Sequence, residues 1–110
     1  MGTAEKIAAL SAWVDANPSN AERDQEAQLW GRTMKVAEEL GEVTAALIGA
    51  TGQNPRKGYT HTMEDVRKEL LDVALTALCA VEYLDHNAGT ALAALHYHVE
   101  KTYVRAGLTH

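Results

Sequence analysis

The chain has 110 residues, 46% of them hydrophobic and 23% charged, which is enough apolar material for one folded domain and excludes a disordered polymer. Its net charge of −5 and pI near 5.4 exclude a nucleic-acid surface built on clustered Lys and Arg. No apolar run is long enough to span a bilayer, and the opening MGTAEKIAAL lacks the basic and apolar regions of a signal peptide, so a cytoplasmic protein with no membrane partner is expected.

Strand signals are nearly absent: there is no Phe, no sustained alternation, and abundant Ala, Leu and Glu. A first short helix carries Ile7, Leu10 and Val14 and ends at Asn17-Pro18. Ser19 with Glu22 reads as a capping box opening a second helix that runs to about Ile48, with Gly31 as a weak point. The principal loop is TGQNPRKGYTH, Thr51 to His61. Thr62 with Asp65 then caps a third helix to roughly Asp85, HNAGT breaks it, and a fourth helix runs from Thr90 to about Arg105, with Gly107 as its stop. These elements predict an all-α, antiparallel helical bundle of about four helices, a single domain over residues 1–110 whose core is completed by dimerisation.

The second and third helices carry the same pattern thirty positions apart: Val36, Glu39, Leu40, Glu42 and Val43 fall on Val66, Glu69, Leu70, Asp72 and Val73. On a helical wheel Val36, Leu40, Val43 and Leu47 form one apolar stripe, and Val66, Leu70, Val73 and Ala77 form its counterpart. Glu39 and Glu69 lie about 70° from the stripe centres and Glu42 and Asp72 about 130°, on the same side, so the acids are expected to flank the packed interface. Glu38 points nearly opposite the stripe. Acids at this spacing are most often a solvated face, paired here as Lys35 with Glu39 and Lys68 with Asp72. The duplication favours a site instead: four converging carboxylates repel unless cations neutralise them, and all-oxygen ligation suits Mg²⁺ or Mn²⁺. A di-iron centre would need Glu-x-x-His, and none of the five histidines follows a Glu at that spacing.

E-E-x-x-E at Glu38, Glu39 and Glu42, then E-x-x-D at Glu69 and Asp72, resembles the MazG-like members of the all-α NTP pyrophosphohydrolase superfamily. Lys35-Val36, the loop Asn54 to Gly58, and Lys101 with Arg105 extend the resemblance from about Trp30 through Arg105. It implies a homodimer or homotetramer that hydrolyses nucleoside triphosphates to the monophosphate and pyrophosphate. In that reading Glu39, Glu42, Glu69 and Asp72 hold Mg²⁺, and Glu38 is a further ligand or the base that orients water. Lys35, Arg56, Lys57, Lys101 and Arg105 become candidates to neutralise phosphate charge.

Each candidate also has a plainer reading. Arg56 and Lys57 suit an exposed loop, and Lys101 and Arg105 suit the last helix's C-terminal dipole. Trp30 reads as core, Cys79 as a small apolar side chain within LTALCAVEYL, and His96 and His98 cannot share one helix face. The alternatives to a general NTP pyrophosphohydrolase are a relative dedicated to one substrate, such as a dUTPase, dCTPase or phosphoribosyl-ATP pyrophosphohydrolase, and a non-catalytic helical oligomerisation module.

Overall fold

A computed structural model describes residues 1–108, with His110 outside the described residues. It contains five helices and, among the described residues, no strand: α1 (Thr3–Ala16), α2 (Pro18–Ala21), α3 (Gln25–Thr51), α4 (Met63–Leu84) and α5 (Ala91–Arg105). The bundle is therefore all-α as expected, with one more helix than the sequence predicts. Ser19 does not open the long helix. Pro18 starts a separate turn that Asn17 caps, its Oδ1 accepting from the Ser19 backbone N–H at 3.0 Å, and Asp24 begins α3 by accepting from the Ala27 N–H at 2.8 Å.

From there α3 runs for 27 residues, about 40 Å, unbroken through Gly31. It stops at Gly52, whose φ of 64° lies in the left-handed region while the Tyr59 ring packs where a Cβ would stand. The predicted capping box of α4 is present: the Thr62 N–H donates to Asp65 Oδ2 at 2.9 Å, and the Asp65 N–H to Thr62 Oγ1 at 3.3 Å. The backbone hydrogen bond from Thr62 holds the Asp65 carboxyl below its usual value.

Long helices α3 and α4 pack antiparallel. At one end the Tyr83 hydroxyl donates to the Gln25 carbonyl at 3.0 Å, and at the other Gly49 is buried against Thr60 and His61, with the Thr60 N–H donating to the Gly49 carbonyl. Gly49 is required there, because a Cβ would run into the Thr60 hydroxyl and the His61 ring. Helix α1 lies against α4, where the Ser11 hydroxyl and the Arg32 guanidinium both reach the Cys79 carbonyl at 3.2 Å.

The seam between α3 and α4 keeps Val36, Val43, Val66 and Val73 of the predicted stripes but is turned toward the acids. Arg32, Val36, Glu39, Val43 and Ala46 of α3 are buried or half-buried, as are Val66, Glu69, Asp72, Val73 and Thr76 of α4. Leu40, Leu47 and Leu70, which the wheel puts in the stripes, are 55%, 43% and 51% exposed. On both helices the packed face is rotated by roughly 50° from the predicted stripe centre, toward the edge that carries the acids. Along α5 only Ala91 is buried, and every residue from Ala93 to Leu108 is exposed. A groove of about 330 Å³ opens between Ala74, Ala77 and Val81 of α4 and Ala94, Leu95 and His98 of α5. The result is an open molecule: its radius of gyration is 17.0 Å, against roughly 13 Å for a compact chain of this length.

Candidate metal centre on the seam between α3 and α4

Glu39 arrives from the middle of α3, while Glu69 and Asp72 arrive one turn apart on α4. One carboxylate oxygen from each lies within 4.8 Å of the others, and all three residues are half-buried. Three like charges at that spacing repel by an amount on the order of a few kcal/mol per pair, at the effective dielectric of a protein surface. Two lysines offset part of this from the edge: Lys35 Nζ stands 3.6 Å from Glu39, and Lys68 Nζ 3.9 Å from Glu69. Lys68 thus pairs with Glu69 and leaves the expected Asp72 pairing unmade. Among the described residues, no ion pair and no side-chain hydrogen bond engages Asp72. Hard oxygen donors converging from three half-buried residues with incomplete charge compensation fit Mg²⁺ or Mn²⁺.

The remaining candidates lie further out. Glu42 follows Glu39 by one turn but is exposed, outside the converging trio. Glu38 is 62% exposed at its side chain and accepts from Lys35 Nζ at 3.1 Å, so it faces away from the seam as the wheel predicts. That hydrogen bond, reinforced by the two nearby carboxylates and partly opposed by burial, raises the Lys35 ammonium above its usual value and keeps it charged. Arg56 and Lys57 sit in an exposed turn in which Asn54 Oδ1 accepts the Arg56 N–H at 3.1 Å. Two to three helical turns, roughly 10–18 Å, separate that turn from the trio. Lys101 and Arg105 are exposed on α5, with Lys101 Nζ 5.5 Å from the Tyr97 ring centroid. Of the five cations expected at phosphate, Lys35 alone pairs with the trio.

Trp30, expected in the core, is instead 62% exposed. It lies on the side of α3 turned from α4. His96 and His98 stand on the exposed α5. Burial pushes the Cys79 thiol up, against a smaller opposing effect of Arg32, which agrees with its reading as an unreactive small side chain.

Two polar devices escape the sequence reading. Arg32 is 7% exposed; its Nη1 donates to Ser11 Oγ at 3.1 Å, its Nη2 donates to Asp15 Oδ1 at 2.7 Å, and its guanidinium lies 5.3 Å from the Tyr83 ring centroid. Asn87 closes the cluster, donating to Asp15 Oδ2 at 2.9 Å and accepting from Ser11 Oγ. Glu82 is wholly buried, and its two oxygens accept the backbone N–H groups of Gly89 and Ala91 at 2.9 and 2.8 Å. It therefore caps α5 from the end of α4. The only sequence signal for Arg32 is its spacing: it stands four residues before Val36 and seven before Glu39, on the face that packs.

No protein-family model matches the chain, and no curated protein or solved structure matches it either. The MazG-like resemblance rests on the acid pattern and its setting.

Proposed function

We propose that the chain is a Mg²⁺-dependent pyrophosphohydrolase that converts nucleoside triphosphates to nucleoside monophosphate and pyrophosphate through attack of water on the α-phosphorus. The observation that carries the reading is the convergence of Glu39, Glu69 and Asp72 within 4.8 Å, with no ion pair to Asp72 among the described residues. The three acids come from two helices and are all half-buried, whereas the acids of a solvated face lie exposed along one helix.

In this reading Glu39, Glu69 and Asp72 would hold Mg²⁺, and Glu42, one turn on, would be the candidate fourth ligand. The bound ion supplies charge neutralisation for the phosphate oxygens and lowers the pKa of an attacking water. The chain's own residues orient and balance charge. Lys35, beside Glu39, neutralises phosphate charge from the α3 side, and its pairing with Glu38 keeps the ammonium at the edge of the trio. Glu38, outside the trio, has a positioning role through Lys35 in preference to a direct one on water. Arg56, Lys57, Lys101 and Arg105 meet phosphate only where the substrate or another copy brings it to them.

We also propose that the working form is a homodimer or homotetramer. The chain exposes 7979 Å², against roughly 6,000 Å² for a compact protein of its mass. The excess is comparable to what each chain of a substantial homodimer buries. Leu40, Leu47 and Leu70 and the groove beside α5 are the apolar surface available for it.

The deciding experiment is product analysis with Mg²⁺ and a panel of NTPs, dNTPs and dUTP, scoring pyrophosphate separately from orthophosphate. Monophosphate plus pyrophosphate, abolished by EDTA and by Asp72→Asn, supports the proposal; release of orthophosphate alone, or turnover indifferent to Asp72→Asn, sinks it.

A further inference from the structure

One turn along the seam from the trio is an apolar slot of about 180 Å³. Helix α1 supplies Leu10, Trp13 and Val14 on one wall, and α4 supplies Leu75, Thr76 and Cys79 on the other. Lys35 belongs to both places, lining the slot while its Nζ stands 3.6 Å from Glu39. The register is set by helix geometry: Thr76 follows Asp72 by one turn and Lys35 precedes Glu39 by one turn, so slot and trio are neighbours separated by about 5.4 Å of helix. Trp13 is 69% exposed although it borders this slot, which leaves one indole face free for a flat partner.

We propose that this slot takes the base of the nucleotide, stacked on Trp13, and that it accepts different bases nearly alike. The inference rests on the reading of the trio as the phosphate and metal site. With the phosphates there, one helical turn is room for the sugar, and the base reaches the slot. The walls are almost wholly apolar, so they grip a heterocycle by stacking and burial, and stacking is tolerant of base identity. Arg32 also borders the slot, but its guanidinium is committed to Ser11, Asp15 and Cys79 and is not free to read a base edge. Thr76, whose hydroxyl makes no side-chain hydrogen bond among the described residues, is the one neutral polar side chain that can meet a base edge or a sugar hydroxyl. One hydroxyl, able to donate or accept, discriminates poorly.

The test uses the full chain with Trp30→Phe, which leaves Trp13 as the only indole, and follows its fluorescence during titration with AMP, CMP and ribose 5-phosphate. Quenching by both nucleotides, with affinities within about tenfold of each other, and none by ribose 5-phosphate, is the expected result. Trp13→Ala should weaken nucleotide binding and raise KM for NTPs by about tenfold or more, and be rescued by Trp13→Phe. Equal quenching by ribose 5-phosphate, or unaltered KM and affinity in a folded Trp13→Ala, overturns the slot. The two proposals fail separately: quenching by nucleotides without turnover of any triphosphate keeps the slot and removes the pyrophosphohydrolase reading, whereas turnover with an unaffected Trp13→Ala does the reverse.

Discussion

Around Arg32 the seam between α3 and α4 buries a guanidinium that is matched on every side, by Asp15, by Ser11, by the Cys79 carbonyl and by the face of Tyr83. Two turns further along, around Glu39, the same seam holds three carboxylates with only edge lysines to offset them. Burying a charge is costly unless its partners are buried with it, so the first cluster is arranged to hold the fold together. On the proposed reading the second is held for a metal ion, at the fold's expense. That contrast, between two clusters on one pair of helices, is what the proposed metal site rests on.

The contrast breaks most visibly at Arg32. Arg32→Ala leaves Asp15 half-buried without its partner and should lower unfolding free energy by about 3–5 kcal/mol, measured by urea titration. A loss below about 1 kcal/mol would mean the cluster does not hold the helices. Asp72→Asn should act oppositely: turnover falls by roughly 100-fold or more, since even groups behind a metal ligand are worth 10–100-fold, while the melting temperature in EDTA stays level or rises as repulsion is relieved. Destabilisation in EDTA would show that the acids support the fold after all.

Glu42→Gln sharpens the boundary of the second cluster. Exposed and outside the trio, Glu42 should cost about tenfold in turnover, less than Asp72→Asn, and a loss equal to that of Asp72 would make it a full ligand. The smallest effect belongs to an acid in neither cluster. Because the Asp65 pKa is lowered in the fold, its contribution to stability is present above the ordinary value of 3.8 and disappears as pH falls through the lowered folded value. Acid titration of the melting temperature for the wild type and Asp65→Asn should therefore give curves that converge as pH drops below about 4.

Much of the fold is legible in the residues. The Thr62 and Asp65 box, the loop that follows α3 and the break before α5 are local chemistry, and local chemistry is written in adjacent residues. The side of α3 that packs is a different matter. Leu40 and Leu47 are more apolar than Glu39, so a wheel centres on them; the chain turns the seam toward the acids, keeping Val36, Val43, Val66 and Val73 in it and adding Ala46 and the Arg32 that α1 matches. A single sequence does not say how far a packed face is rotated when a buried Arg32, matched from another helix, is part of it. Arg32 and Glu82 stayed hidden for a related reason: their partners are Ser11 and Asp15 on another helix, and backbone N–H groups beyond a turn, none of which sequence spacing brings together. Glu69 and Asp72 were legible because duplication placed them; Trp30 was misread because an apolar side chain was assumed to face inward.

Glu82 has a consequence for how α5 moves. A 15-residue helix is marginal by itself in water, because its first turn costs more order than one hydrogen bond returns. The buried carboxylate fixes that first turn by holding the N–H groups of Gly89 and Ala91, so α5 is nucleated at one end and unsupported at the other. Amide exchange should accordingly form a gradient in the isolated chain, slow near Ala91 and fast toward Arg105. A surface laid along α5 would flatten that gradient, which makes exchange along one helix a position-by-position gauge of what the rest of it touches.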